Sequence, residues 1–354
     1  MKVDYIIVGQ GISGTWLSYW LGKEGLSFVV IDNPSIPSSS RVASGLINPV
    51  TGRRHVTVWM AEKILPFAET HYQELGSELE IKAISRTSIL DFFPTAQMRL
   101  SFQNRVDEHA DYLQIDDQDN SHQHVFHYDF GSGSIDPVFV VHLETLLPAW
   151  REKLRSKSQL LETSYDPSGL KLNENKIVYG DIEASAIIFC DGYQGQFSPY
   201  FDRLPFAFNK GEAMLLEIEE LETKHVYKKG MTLVPTVQKN CWWYGSNYEW
   251  DFKDSQPSAG FRELAIKQLD NWLKLPYKIL DHRSAIRPAT IERRPFVGMH
   301  PHNMQVGIFN GMGSKGCSLA PWFARELVMH LKNNEPISPE ADIRRFERVL
   351  NPRK

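Results

Sequence analysis

An apolar run from Val3 to Val8 meets a turn carrying Gly9, Gly11 and Gly14, and a second apolar run, FVVI, ends at Asp32. The first run predicts a buried parallel strand, and the glycine spacing predicts a tight turn that opens a helix. Gly9 permits the turn, Gly11 lets a pyrophosphate approach the backbone, and Gly14 lets the helix sit close to the strand. Free amides at that helix N-terminus would meet the phosphate charge. Asp32 lies eighteen residues after Gly14, at the end of the second strand, where it can accept hydrogen bonds from a ribose. A carboxylate there favours a free 2′-hydroxyl, so FAD or NAD is predicted rather than NADP.

Further along, the pattern changes. From Phe206 to Glu249 short β-rich runs, EAMLLEIEE, HVYKKGMTLVPTV and NCWWYGSNYEW, alternate with charged or glycine-containing turns and read as an antiparallel sheet. Alternation sends Trp243 to one face of its strand and Trp242 and Tyr244 to the other, and one face is a candidate wall for a small-molecule cavity. Tyr244 is the candidate pocket residue there, because its hydroxyl can hydrogen-bond a carboxylate. Phe261, Leu264, Ala265, Leu269, Trp272 and Leu273 recur at helical spacing and predict an amphipathic helix over 258–275, ended by Pro276. A second helix is predicted from about Leu319 to Leu331.

Composition narrows the class. With 354 residues, 42% of them hydrophobic, the chain can bury the core of two domains. A formal charge of −4 offers no global attraction to nucleic acid or anionic membrane. The three cysteines, Cys190, Cys241 and Cys317, are far apart and form no metal-binding pattern, which suits a reducing compartment. No run approaches a membrane span, and the polar Lys23-Glu24 interruption argues against a signal peptide, so a cytoplasmic, water-soluble protein is expected.

Three later segments choose between the nucleotides. They are SSSRVASGLINP at 38–49; GSIDPVFVVHLETLL at 133–147 with AIIFCDG at 186–192; and RSAIRPATIERRPFVG at 283–298 with GIFNGMGSKGCSLAPWFARELV at 307–328. In this order they resemble the D-amino-acid oxidase superfamily of flavoproteins, from Val3 to about Leu331. The resemblance implies an α/β (α+β overall) fold, in which a Rossmann-like FAD-binding domain is interleaved with an antiparallel-sheet substrate domain. The nucleotide signatures sit at the start, middle and end, so residues 1–85, 132–203 and 284–354 are assigned to the FAD-binding domain and 86–131 and 204–283 to the substrate domain.

The same resemblance implies the site residues. Flavin contacts are expected from Gly9, Gly11, Ile12, Ser13 and Gly14, and from Asp32 and Asn33. The following loop supplies Ser40, Arg41, Ser44, Gly45 and Leu46. Asp191 and Gly192 follow the middle strand, and Gly311, Gly313, Ser314, Lys315 and Gly316 form the last glycine loop. Arg287 of IRPAT matches the arginine that clamps the substrate carboxylate in relatives, a role its planar fork suits. Arg283, Arg293 and Arg294 are nearby competitors. Lys315 of GMGSKG matches a lysine that helps bind the carboxylate beside the flavin. The helix that follows it should direct positive partial charge at the reduced ring. Arg54, next to His55 in TGRRH, is the third cationic candidate. Ser284, Ala285 and Ile286 stand where a covalent-attachment cysteine would lie, so the FAD is expected to be non-covalent.

The activity implied is FAD-dependent oxidation of the C–N bond of an amino acid or N-substituted amino acid. A hydride passes to flavin N5, the imine hydrolyses, and oxygen or another acceptor reoxidises the cofactor. Two rivals stand beside it. One is a tRNA-modifying oxidase whose basic pairs, Arg53-Arg54, Arg293-Arg294 and Arg344-Arg345, touch phosphate, against which the acidic net charge argues. The other is a non-catalytic flavin-binding subunit.

Overall fold

The computed structural model describes residues 1–52, 54–108, 111–116 and 121–351, which divide into two compact units. The first comprises Met1–Arg41, Glu144–Asn209 and Ile286–Lys354, and the second Val42–Leu143 and Lys210–Ala285.

In the first unit the apolar run at the N-terminus becomes strand Lys2–Val8, fully buried over its last three residues. It pairs in parallel with Phe28–Ile31 on one side and with Ile182–Phe189 on the other. Leu160–Leu161 extends the parallel order beyond Phe28–Ile31, and Asn303–Asn310 pairs in parallel with the C-terminal half of Ile182–Phe189. The C-terminal halves of the strands Lys2–Val8 and Ile182–Phe189 are apolar and buried, as expected where both sheet faces are covered. Helix Ile12–Lys23 is buried from Ile12 to Leu21 and packs on helix Gly316–Asn333. Trp16 and Trp20, bulky for this position, are absorbed into that contact. Trp16 is fully buried, and Trp20 Nε1 donates to the carbonyl of Pro321 at 3.1 Å.

Among the described residues, the second unit is built on a nine-stranded sheet. Asn209–Glu217, Cys241–Gly245, Met231–Pro235 and Val226–Lys229 follow one another antiparallel, as the β-rich pattern predicts. Val226–Lys229 then pairs in parallel with Ile84–Phe92, so the sheet is mixed rather than purely antiparallel. Helix Ala259–Asp270 is capped by the Ser258 side chain and buries Phe261, Ala265 and Leu269. It stops at Asp270, well short of Pro276; Trp272 and Leu273 enter the core from the turn that follows, while Leu264 faces solvent.

The boundaries between units differ from those read in the sequence. Ser132–Val141, apolar from Val138 to Val141, pairs with Ile84–Phe92 and with Leu46–Ile47 in the second sheet. Residues 42–85 and 132–143 therefore belong to the second unit. An apolar run shows that a strand is buried but does not show which sheet it joins. No helix among the described residues is long and apolar enough to cross a membrane.

Candidate active site

The turn after Lys2–Val8 has the geometry its glycines predict. Gly9 lies at φ +99°, and a Cβ there would stand 2.6 Å from the Cys190 carbonyl oxygen. A Cβ on Gly14 would stand 1.9 Å from the Gly9 carbonyl oxygen, so only glycine lets the helix approach the turn. Gly11 is the N-cap of helix Ile12–Lys23 and carries no side-chain cap, which leaves first-turn amides for an external acceptor. Ser40 Oγ accepts from the Ile12 amide at 3.0 Å and ties the small-residue loop to the helix start. Asp32 Oδ1 accepts from the Gln10 amide at 2.9 Å, and Arg41 Nη2 donates to Asp32 Oδ2 at 2.9 Å. Asn33 Nδ2 donates to Ser164 Oγ at 3.0 Å, and its Oδ1 accepts from the Ser35 amide at 2.9 Å.

The middle and last segments meet the same sheet edge. Cys190 donates its amide to Val8, which aligns Asp191 and Gly192 with the turn. Asn310 Nδ2 donates to Asp191 Oδ1 at 3.0 Å and to the Gly192 carbonyl at 2.8 Å. Burial pushes the Asp191 carboxyl up to about 7, against the opposing pull of its own backbone and of Asn310. Gly316 packs on the helix start, where an added Cβ would meet Ile12 Cγ2 at 2.9 Å. The Gly313 amide donates to the Pro288 carbonyl at 3.0 Å, which joins the glycine loop to the Arg287-Pro288 segment.

Two cations lie on that joined segment. Arg287 is half-buried, and its Nη1 donates to Asn209 Oδ1 at 2.8 Å. Lys315 is the half-buried N-cap of helix Gly316–Asn333, which begins three residues before the predicted start at Leu319. Burial, then the charges of Arg294 and Arg293, hold its ammonium below the usual lysine range. The competitors stand differently: Arg283 is exposed and paired with Asp281 at 2.6 Å in the second unit, and Arg293 is exposed.

Other sequence-assigned residues lie in the second unit. Gly45 is needed by its own packing, since a Cβ there would meet the Val141 carbonyl oxygen at 1.9 Å. Ser44 Oγ accepts from the Leu46 amide, and Leu46 pairs with Val140. Arg54 is exposed on the hairpin formed by Val50–Thr51 and Val56–Thr57. Its neighbour His55 is buried, with Nε2 3.1 Å from Asp91 Oδ2, and Lys228 reaches the same oxygen at 2.5 Å. Arg53 lies outside the described residues.

Tyr244 is fully buried in the apolar cluster with Met214, Leu216, Phe261 and Trp242, and its hydroxyl has no partner among the described residues. Alternation correctly separates Trp242 and Tyr244 from Trp243, whose Nε1 instead donates to the Val42 carbonyl. The shared face is the core.

Sequence reasoning missed Asn310, which holds Asp191, and Arg151, which holds Asp32 at 2.7 Å. The signal for Asn310 is its place at the end of an apolar strand just before the glycine loop. For Arg151, one of several charges on helix Leu143–Ser156, there is none.

The family model described as FAD dependent oxidoreductase (DAO) matches residues 4–329. The chain belongs to that family. Solved structures share the fold of this FAD-dependent oxidoreductase. Glycine oxidase from Geobacillus kaustophilus aligns with a TM-score of 0.79 at 17% identity, covering 95% of this chain and 96% of that one. Iminodiacetate oxidase from Chelativorans sp. BNC1 aligns with a TM-score of 0.76 at 17% identity, covering 95% and 96%. The L-α-glycerophosphate oxidase of Mycoplasma pneumoniae, described with FAD bound, aligns at 0.71 and 14% identity, covering 96% and 97%. The glycine turn, the first-turn amides of helix Ile12–Lys23 and Asp32 are a donor and acceptor set that fits FAD. When bound it supplies the hydride acceptor.

Proposed function

We propose that this FAD-dependent oxidoreductase oxidises the C–N bond of an amino acid or N-substituted amino acid. The observation that carries the reading is the junction in the first unit, where the Gly313 amide binds the Pro288 carbonyl and puts Arg287 and Lys315 on one assembled segment. A half-buried guanidinium aimed by a neutral amide suits bidentate binding of a carboxylate and fixes the substrate α-carbon. Lys315, at the N-terminus of its helix, adds positive charge where negative charge develops as the substrate is oxidised. No side-chain base is required, because hydride loss from an amine that arrives neutral gives an iminium directly, and water hydrolyses it to the carbonyl product and an ammonium. Tyr244, in the core of the second unit, has no part in this reading.

The names of the glycine oxidase and iminodiacetate oxidase neighbours favour a small carboxylate-bearing amine. Phosphate binding by the basic pairs finds less support, since Arg344 is paired with Asp342 and Arg345 with Glu292. The test is an anaerobic screen of amino and N-methyl amino acids for bleaching of the oxidised-flavin band. Bleaching by carboxylate-bearing amines supports the reading; bleaching only by amines that lack a carboxylate, or by hydroxy acids, overturns it.

A further inference from the structure

Arg151, on helix Leu143–Ser156, is nine-tenths buried in the first unit and reaches four acceptors. Nη1 donates to Asp32 Oδ2 at 2.7 Å and to Gln10 Oε1 at 3.1 Å. Nη2 donates to the Asp32 carbonyl at 3.1 Å, and Nε to Glu162 Oε1 at 3.0 Å. A single guanidinium therefore grips the side chain and backbone of the acid at the end of the second strand, and the side chain of the residue between Gly9 and Gly11. Gln10 is itself fully buried, and its Nε2 donates to the Leu147 carbonyl at 3.1 Å and to Thr15 Oγ1 at 3.3 Å.

The division of labour on Asp32 is informative. Oδ2 is taken by two guanidinium groups, Arg151 and Arg41. Oδ1 accepts only the Gln10 amide among the described residues. A carboxylate oxygen accepts two hydrogen bonds, so Oδ1 keeps one acceptor position, and the grip on Oδ2 fixes which way it faces. A merely structural ion pair would not need to hold the glycine turn as well.

We propose that Arg151 is a positioning residue for the adenosine half of FAD, presenting Asp32 Oδ1 to the ribose 2′-hydroxyl and locking the turn that receives the pyrophosphate. The proposal rests on Asp32 as the ribose acid. Arg151 touches no part of the cofactor itself; it acts through Asp32 and Gln10.

The probes are ADP and 2′-deoxy-ADP, titrated into the full chain stripped of flavin. The wild type is expected to bind ADP about tenfold more tightly, the worth of a hydrogen bond to a charged acceptor. In Arg151→Met that ratio should fall towards one. Arg151→Lys retains the charge, so the fold survives if Met is not tolerated. A single ammonium cannot span the four acceptors, so its ratio should also drop. Asp32→Asn separates the two ideas. A ratio lost in Asp32→Asn but kept in both Arg151 variants overturns the positioning role. Equal weakening of both nucleotides in the Arg151 variants, with the ratio intact, means a structural role only and overturns it too. A ratio that survives in Asp32→Asn shows that the ribose reading itself has failed, and the proposal with it.

Discussion

Asn209 Oδ1 accepts a 2.8 Å hydrogen bond from Arg287 Nη1, and Asn209 is almost completely buried. The side chain that aims the proposed carboxylate clamp is thus a neutral amide. Asn209→Ala should leave Arg287 charged but less well oriented. A lost neutral hydrogen bond is worth about 1 kcal/mol, so apparent affinity for a carboxylate substrate should fall about fivefold. Stopped-flow flavin reduction at graded substrate concentrations checks this, and unchanged saturation would show that Arg287 needs no aiming.

Gly14 is a position where function and packing coincide. Because a Cβ would stand 1.9 Å from the Gly9 carbonyl oxygen, Gly14→Ala must push the helix from the turn. Its protein should purify colourless or fail to fold, whereas Gly22→Ala, whose nearest contact is an ordinary 3.7 Å to Phe28, should keep its flavin. The absorption spectra of the two purified variants decide it.

These glycines were legible because steric constraints on backbone act locally. Asp32 was legible by its distance from the turn, but Arg151 was not, since its partnership forms only when Leu143–Ser156 packs beside the strand ends. Tyr244 shows the limit of alternation. Alternation tells which residues share a face, and only the helix Ala259–Asp270 packed on that face makes it core. Helix Ala259–Asp270 was overextended because Trp272 and Leu273 keep helical spacing in sequence although the chain has already turned.

Asp191 gives a pH signature. Its carboxyl is raised from 3.8 to about 7 in the folded protein, so the folded state binds the proton more tightly than the unfolded chain. Its stabilising contribution is full below the unfolded value and is lost as pH rises through about 7. Melting temperatures of flavin-free wild type should therefore carry a decline between about pH 4 and pH 7 that Asp191→Asn lacks. Parallel melting curves for the two proteins across that range would place the titration elsewhere.

Lys315 should affect the cofactor as well as the substrate. If Lys315 stands beside the ring, as proposed, removing its charge disfavours the anionic reduced form, so Lys315→Met should lower the flavin midpoint potential. A spectroelectrochemical titration reads this directly, and an unchanged potential would leave Lys315 only the role of helix cap.

Arg287 as the carboxylate-binding residue is tested by anaerobic flavin reduction in Arg287→Ala. With the best carboxylate-bearing amine from the screen, loss of a charge-assisted contact worth roughly 1.5–3 kcal/mol should weaken substrate binding or slow reduction about ten- to a hundredfold. FAD content should stay unchanged. Reduction by that substrate at the wild-type rate and affinity would contradict the account.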